Sequence, residues 1–346
     1  MKKLLKPILT LLLLLTLCSC KARSTAGKTP DTNLSVLVYI TGFIAGSPSY
    51  EMLAEGAKEF ENEHSSIKLT IYEAGVNQAE WEEQLTSLIA QNSFDLVLGS
   101  NPSLPEICAS VGKKFPSQKF AITDAFYDKQ NPQIITWMFN QYEQALFIGY
   151  LAGLITTSNL PFANSAKRIG FIAAQEFPLL TRNIVPGFID GAHKADTAIQ
   201  LDFRVVGNWF DSSKAADLTT SMINAGVDVF TSIAGGAAQG MIRTIAEKGA
   251  YSVSFNTNEY NKAPGYILGC GQMEQKKLVK EILSDFISGK LEFGTAQIVG
   301  VKEGYINFID DDPAYTDSVP LEIQKKFNLF MSNLRAGNIE YTVPPL

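Results

Sequence analysis

Side chains suited to binding a small ring follow the predicted strands of this chain, at the points where those strands end. In the first half they include Phe43, Ser49, Tyr50, Asn101 and Asp124; in the second half they include Phe177, Trp209 and Asn256, together with the backbone of Gly235 and Gly236. Ligands of parallel α/β sheets bind just beyond the carboxyl ends of the strands. Aromatic faces stack on a flat ring, while amides hydrogen-bond with its edge. The pattern therefore predicts a cleft for a flat, neutral ligand with polar edges.

The scarcity of charge among these residues argues against several other kinds of site. Arg182 is the only basic side chain near a predicted loop end, whereas phosphates and amino acids favour Arg or Lys forks. The two histidines, His64 and His193, fall at polar helix ends away from any cysteine, so no zinc spacing and no Ser/His/Asp triad is visible. The segment 235–240 lacks the Lys-Ser/Thr of a phosphate loop, and no dinucleotide-binding glycine motif follows the first strand. The sequence favours binding over catalysis.

Trp209 is the aromatic residue that best fits a ligand platform. Its neighbours Asn208, Asp211 and Ser212 are polar, so it does not belong to an apolar run. Each of the other aromatic residues, taken alone, fits a core position better than a ligand contact. We therefore interpret Trp209 as a stacking residue.

The elements that must position these residues alternate between strand and helix. An apolar run at 227–230 leads into the glycine turn, a helical pattern closes at Lys248-Gly249, and a second apolar run at 251–255 ends in Asn256. The same rhythm begins at the strand 34–40, and it predicts parallel sheets wrapped by helices.

A long apolar helix at 141–156 divides the chain into two α/β halves of similar size. We predict that residues 34–140 plus 265–290 form a first lobe, because the late strand and helix at 266–290 can complete its sheet. Residues 141–264 plus 291–346 then form the second lobe.

Composition agrees with a two-domain globular protein. The chain has 346 residues, of which 46% are hydrophobic and 18% charged, so it can bury a sizeable core. The formal net charge of -6 and the absence of a long basic run argue against nucleic acid as a partner. Cys108 and Cys270 lie in a helical pattern and an apolar run, so we expect free, buried thiols.

The N-terminal segment resembles a targeting signal. Lys2, Lys3 and Lys6 precede an apolar core at 8–17, which is too short to span a bilayer comfortably and is typical of a signal peptide over 1–19. Ser19-Cys20 then resembles a bacterial lipobox, in which cleavage leaves the cysteine to be acylated. Polar residues 20–33 suit a lipidated tether. We expect a protein anchored to the cell membrane and facing the periplasm or the exterior; a plain secretory signal with incidental cysteines is the alternative.

Four stretches resemble the Bmp (basic membrane protein) family of substrate-binding lipoproteins, of the purine nucleoside receptor type. They are FAITDAFYD (120–128), QYEQALFIGYLAG (141–153), AGGAAQGMIRTIAEKGAY (234–251) and VKEGY (301–305). The resemblance implies a type I periplasmic-binding-protein fold, with two Rossmann-like lobes, parallel sheets and a three-crossing hinge. It also implies that the partner is the permease of an ABC importer.

Departures from the nucleoside receptors concern the ligand. Their ribose-gripping Asp-x-Asp is here Asn256-Thr257-Asn258, and Gln272 stands in the place of their lysine. Tyr50 replaces one stacking phenylalanine, without the preceding acid, and Trp209 replaces the other. A larger stacking face and the loss of the ribose-gripping acid favour a larger ring with a flexible polyol. In this the chain is most similar to the riboflavin receptors of the family.

The resemblance implies roles for the individual residues. Tyr50 and Trp209 would sandwich the isoalloxazine ring. Asn101, Asp124 and the backbone of Gly235 and Gly236 would contact its edges, while Asn256 and Gln272 would bind ribityl or ring oxygens. Further contacts are expected from Phe43, Ser49, Tyr142, Phe177 and Arg182.

Riboflavin would then be the transported ligand rather than a catalytic cofactor. Three alternatives stay open at this point. They are a purine nucleoside receptor on the same scaffold, a flavin- or nucleoside-processing enzyme, and a signalling or adhesive lipoprotein.

Overall fold

The computed structural model describes residues 34–345, and these form an alternating series of strands and helices. The predicted signal peptide, Cys20 and the tether lie outside the described residues. The strands are β1 Leu34–Ile40, β2 Ile67–Glu73, β3 Leu96–Ser100, β4 Lys119–Thr123, β5 Ile134–Phe139, β6 Arg168–Ala173, β7 Gln200–Val205, β8 Val227–Ile233, β9 Tyr251–Ser254, β10 Ile267–Met273, β11 Ala296–Val299 and β12 Ile306–Phe308. The helices are α1 Pro48–Glu63, α2 Gln78–Gln91, α3 Leu104–Lys114, α4 Gln141–Thr156, α5 Val185–Ala195, α6 Ser212–Asn224, α7 Ala238–Lys248, α8 Gln275–Ile287, α9 Pro313–Ser318 and α10 Leu321–Arg335.

Two six-stranded sheets organise these elements, as the alternation predicts. The first has the order β2-β1-β3-β4-β5-β11 and is parallel throughout. The second has the order β7-β6-β8-β9-β10-β12, in which only β12 runs antiparallel to its neighbour. The strand order reverses beside β1 in the first sheet and beside β6 in the second. Such reversals open a crevice at the carboxyl edge of an α/β sheet.

The structure corrects the predicted lobe boundaries in two places: the segment 265–290 divides between the lobes, and strand β11, predicted in the second lobe, pairs with β5 of the first. Strand β10 pairs with β9 and so belongs to the second sheet. Helix α8 packs on α1 of the first lobe, where Lys276 and Lys280 form ion pairs with Glu59 and Glu63. The prediction failed at β10 because an apolar strand fits either sheet, and its neighbour is set by tertiary pairing. Strand β12 and helix α9 were not predicted, since each is shorter than the periodicity windows on which the prediction rests.

Three chain crossings join the lobes, and they leave from the carboxyl edges of strands. The first runs from the end of β5 through Asn140 into α4, which packs in the second lobe. The second runs from the end of β10 through Glu274 into α8. The third runs from the end of β11 to β12, whose first residue Ile306 pairs with Met273 at the end of β10. The carboxyl edges of the two sheets therefore face each other across the hinge.

The crossings also run side by side. The amide of Asn140 donates to the carbonyl of Val299 at 2.8 Å, and the amide of Glu274 donates to the carbonyl of Tyr305 at 2.9 Å. The third crossing thus lies between the other two. It is hydrogen-bonded to each of them.

Helix α4 is the central element of the second lobe. All of its residues except Tyr150 and Leu154 are buried, as an apolar helix without a polar face requires. It lies against α5 so closely that a methyl group on Gly149 would sit 1.9 Å from the carbonyl oxygen of Phe188. The same distance separates a methyl group on Gly191 from the carbonyl oxygen of Leu146. Each helix offers a glycine where the backbone of the other passes.

We expect Gly149→Ala to lower the free energy of unfolding by about 3 kcal/mol, because the new methyl group meets backbone that must move as a unit. Chemical denaturation monitored by circular dichroism measures this loss. Gly112→Ala in α3 is the matched control, since its methyl group would meet only the side-chain amide of Gln133. Equal losses in the two variants would contradict the close packing of α4 on α5.

Candidate ligand-binding cleft

Tyr50 lies on the first-lobe side of the cleft, where β1 ends and α1 begins. Its hydroxyl bonds with the side-chain oxygen of Thr41 at 2.9 Å and donates to the Thr41 carbonyl at 3.2 Å. Asn101 follows β3 at the same edge, and its Oδ1 atom accepts from the amide of Ser103 at 2.8 Å. The ring of Tyr50 rests against Gly42, where an added methyl group would come within 2.8 Å of Tyr50 Cε2. Burial raises the pKa of Tyr50, so its hydroxyl stays protonated at neutral pH.

Asp124 follows β4 and is a third predicted contact on the first-lobe side of the cleft, after Tyr50 and Asn101. Its φ of 52° is left-handed, a conformation that aspartate adopts more readily than most residues. The side-chain amide of Gln141, the first residue of α4, donates to Asp124 Oδ1 at 2.8 Å. Burial raises the pKa of Asp124 to about 6, and the bond from Gln141 offsets part of that rise. Asp124 is therefore a carboxyl group that changes charge close to neutral pH.

Trp209 lies on the second-lobe side, after β7. Its indole Nε1–H donates to the Oε1 atom of Gln175, which follows β6, at 3.2 Å. Its carbonyl accepts from the amide of Ala237 at 3.0 Å. The ring packs on Gly235, whose φ is 53°, and a methyl group there would sit 3.2 Å from Trp209 Cε3. The glycine turn after β8 thus supports the indole ring.

Asn256 follows β9 at the same edge, next to the hinge. Its Oδ1 atom lies 3.5 Å from the side-chain nitrogen of Gln144, which also donates to the carbonyl of Phe255. Its carbonyl accepts from the amide of Met273 at 3.1 Å. Gln272 is a partly exposed residue of β10, paired with Asn307. The structure thus brings Asn256 to the carboxyl edge beside the last residues of β10.

Four further predicted contacts lie on the segments after β1 and β6. Phe43 is 51% exposed, and Ser49 is a half-buried residue of the first turn of α1. Phe177 is partly buried, and Arg182 is an exposed residue of the π-helical turn Leu180–Ile184 that precedes α5. Their contacts with a ligand stay predictions.

Tyr142 does not join either group of cleft residues. Its ring is buried and stacks on Tyr341, with centroids 5.6 Å apart, and its hydroxyl donates to Asp190 at 2.6 Å. Successive residues of a helix point about 100° apart, so Gln141 faces the cleft while Tyr142 faces α5. We therefore remove Tyr142 from the expected ligand contacts.

Sequence reasoning missed the glutamines that surround the hinge. Gln141 and Gln144 lie in the first turn of α4, and Gln275 begins α8, where its amide donates to the side-chain oxygen of Thr123 at 2.8 Å. Gln144 and Gln275 are completely buried. A polar residue in the first turn of an otherwise apolar helix was the available signal, because burial of an amide requires hydrogen-bond partners.

Two lobes that place aromatic and amide groups at facing carboxyl edges, joined by three crossings, define the type I periplasmic-binding-protein fold. The model of the Bmp family, described as ABC transporter substrate-binding protein PnrA-like, matches residues 33–333. The chain belongs to this family. Family membership implies a small-molecule ligand and a permease partner.

Individual relatives are distant but match over most of their length. The transcriptional activator protein med of Bacillus subtilis is 23% identical over 81% of this chain and 82% of its own. An uncharacterized lipoprotein of Pyrococcus abyssi is 21% identical over 88% of this chain and 76% of its own. Among solved structures, an ABC transporter solute-binding protein of Aeropyrum pernix superposes with a TM-score of 0.78 at 20% identity, covering 90% of this chain and 94% of its own. Similarity at this level shows the fold.

Within residues 34–345, no helix combines the length and the apolar composition needed to span a bilayer.

The raised pKa of Asp124 predicts a pH dependence of stability. A carboxyl group with a folded pKa of about 6 and an unfolded value of 3.8 binds more protons in the folded state. The free energy of unfolding should therefore fall as the pH rises from about 4 to about 6, and level off above that. Asp228, buried beside Thr156 with its pKa also raised to about 6, contributes in the same direction.

Asp124→Asn isolates the contribution of the cleft. We expect the variant to lose less stability than the wild type between pH 4 and pH 6, since only Asp228 then titrates with a raised pKa. Denaturant unfolding at several pH values measures the difference. Parallel pH profiles for the two proteins would show that Asp124 titrates normally.

Proposed function

We propose that this protein captures riboflavin for an ABC importer, by closing its two lobes on the isoalloxazine ring. The observation that carries the proposal is the placement of Trp209. Its indole ring is partly exposed at the cleft edge and donates to Gln175, while the backbone carbonyl of Trp209 accepts from Ala237 in the glycine turn. A rigid aromatic face loses little conformational freedom when a flat ring stacks on it.

The polar groups beside Trp209 support a neutral ligand. Gln175, Asn208 and Asn256 are amides that both donate and accept hydrogen bonds, as the edge of an isoalloxazine ring requires. Asn256 carries no charge, where nucleoside receptors of the family grip the ribose diol with an acid. A flexible ribityl chain needs hydrogen bonds at this place but no fixed carboxylate.

The first-lobe group supplies complementary chemistry. The Oδ1 atom of Asn101 accepts from the amide of Ser103, which leaves the side-chain NH2 group of Asn101 to donate to a ligand. Asp124 accepts hydrogen bonds above pH 6 and can donate one below it. Ring nitrogens and carbonyls on one edge of a flavin suit such mixed donors and acceptors.

Trp209→Ala tests the stacking. We expect the variant to bind riboflavin at least about fivefold more weakly, because ring stacking on an aromatic side chain contributes about 1–3 kcal/mol. Quenching of riboflavin fluorescence during titration measures the affinity. Phe210→Ala is the matched control, since Phe210 is adjacent and 66% exposed but is not among the predicted contacts.

The wild-type titration tests the ligand itself. Quenching of riboflavin fluorescence, or a flavin absorbance spectrum in the purified protein, would support riboflavin. Saturable binding of inosine or guanosine without binding of riboflavin would favour the nucleoside alternative instead. Unchanged affinity after both Trp209→Ala and Tyr50→Ala would contradict the sandwich.

We also propose that Cys20 carries the lipid that holds the protein at the outer side of the cell membrane. The support is the resemblance of Ser19-Cys20 to a lipobox and the lipoprotein named among the relatives. Cys20→Ala should abolish incorporation of radiolabelled palmitate in a bacterial host and release the protein from the membrane fraction. Cys18→Ala is the control and should retain both; loss of label in Cys18→Ala alone would place the lipid there.

A further inference from the structure

The C-terminal strap, defined here as residues 338–345, lies across the second lobe and reaches the hinge. It has no regular secondary structure, yet side chains of the lobe hold it at three points. Lys194 donates to the carbonyl of Glu340 at 3.2 Å, and Asn183 donates to the carbonyl of Pro344 at 2.8 Å. Between these points, the hydroxyl of Tyr341 donates to Glu143 Oε1. Because Asn183 is 2% exposed, one of these points is in the interior of the lobe.

Glu143 connects the strap to two of the hinge crossings. It is a buried residue of the first turn of α4, so it moves with the end of the first crossing. Its Oε2 atom accepts from the amide of Val301, in the third crossing, at 2.8 Å. Its two carboxylate oxygens therefore hold the strap on one side and the third crossing on the other.

Gly300 shows how closely the third crossing fits this carboxylate. A methyl group at this position would lie 2.2 Å from Glu143 Oε2, well inside contact distance. Any other residue at position 300 would displace the carboxylate from the amide of Val301. The glycine is thus required by the contact between the crossing and Glu143.

Tyr341 is suited to its part in this arrangement. Its ring stacks on Tyr142, which fixes the direction of the hydroxyl. Burial and the neighbouring Glu143 raise the pKa of Tyr341, so the hydroxyl stays a donor. Hydrogen bonds to a charged acceptor are stronger than those between neutral groups.

We propose that the strap fixes the pivot of the hinge, and that Tyr341 and Glu143 are positioning residues for lobe movement. The Tyr341 hydroxyl holds the carboxylate of Glu143, and the carboxylate holds Val301. Bending between the lobes is thereby confined to the short segments around Asn140, Glu274 and Gly300. Release of the strap frees the end of the third crossing that lies in the second lobe, and the hinge segments then become more mobile.

Hydrogen–deuterium exchange of the full chain without ligand tests the proposal. In Tyr341→Phe we expect amide exchange in the hinge segment 299–306 to become about tenfold faster, since the loss of one hydrogen bond to a charged group lowers local stability. Exchange in β2, in the first lobe, should stay unchanged. Because no ligand is added, failure of the riboflavin proposal leaves this test unaffected.

Tyr142→Phe is the matched control. It removes a hydroxyl from the ring stacked on Tyr341, but that hydroxyl donates to Asp190 and not to Glu143. Exchange in 299–306 should therefore match the wild type. Equal acceleration of exchange in both variants would show that the bond from Tyr341 to Glu143 has no special role, and this would overturn the proposal. No acceleration in Tyr341→Phe would also overturn it.

Two further variants test the contacts of Glu143 with the strap and with the third crossing. A chain ending at Gly337 removes the whole strap, and Gly300→Ala displaces the carboxylate from the crossing. Both should accelerate exchange in 299–306 at least as much as Tyr341→Phe. Wild-type exchange in either variant would also overturn the proposal.

Discussion

The opposition of the two carboxyl edges is the constraint on which the cleft depends. It results from the three crossings, each of which leaves a strand at that edge and enters the other lobe within a few residues. The crossings are short and hydrogen-bonded to one another. Tyr50, Asn101 and Asp124 lie at the carboxyl edge of the first sheet, and Trp209 and Asn256 lie at the carboxyl edge of the second.

Much of this arrangement follows from local sequence. Each βα unit ends its strand with polar or glycine residues, and the parallel order of the strands then brings those residues to one edge. That is why Trp209, Gly235 and Asn256 were predicted together although they belong to three different units. Trp209 was identified by its polar neighbours, and the structure gives the reason for them: Asn208 and Asp211 shape the turn that begins α6, where Asp211 accepts from the amide of Lys214.

Other features depend on contacts that local patterns do not encode. Strand β10 was assigned to the wrong lobe because its apolar residues suit either sheet. Tyr142 was placed in the cleft, whereas a single helical step turns it toward α5. The hinge glutamines were missed because their hydrogen-bond partners are distant in sequence: Gln141 donates to Asp124, and Gln275 donates to Thr123, across junctions that exist only in the folded chain.

Because the chain returns to the first lobe only at α8, after β10 of the second lobe, the first sheet is completed late in synthesis. The first lobe is finished only when α8 covers α1 and β11 closes the free edge of β5, so its last strand is made some 160 residues after its fifth. A nascent chain that ends before residue 299 carries an unprotected strand edge at β5, and unpaired edges recruit other strands. During synthesis, the edge of β5 therefore stays unpaired for as long as it takes to make the residues between β5 and β11.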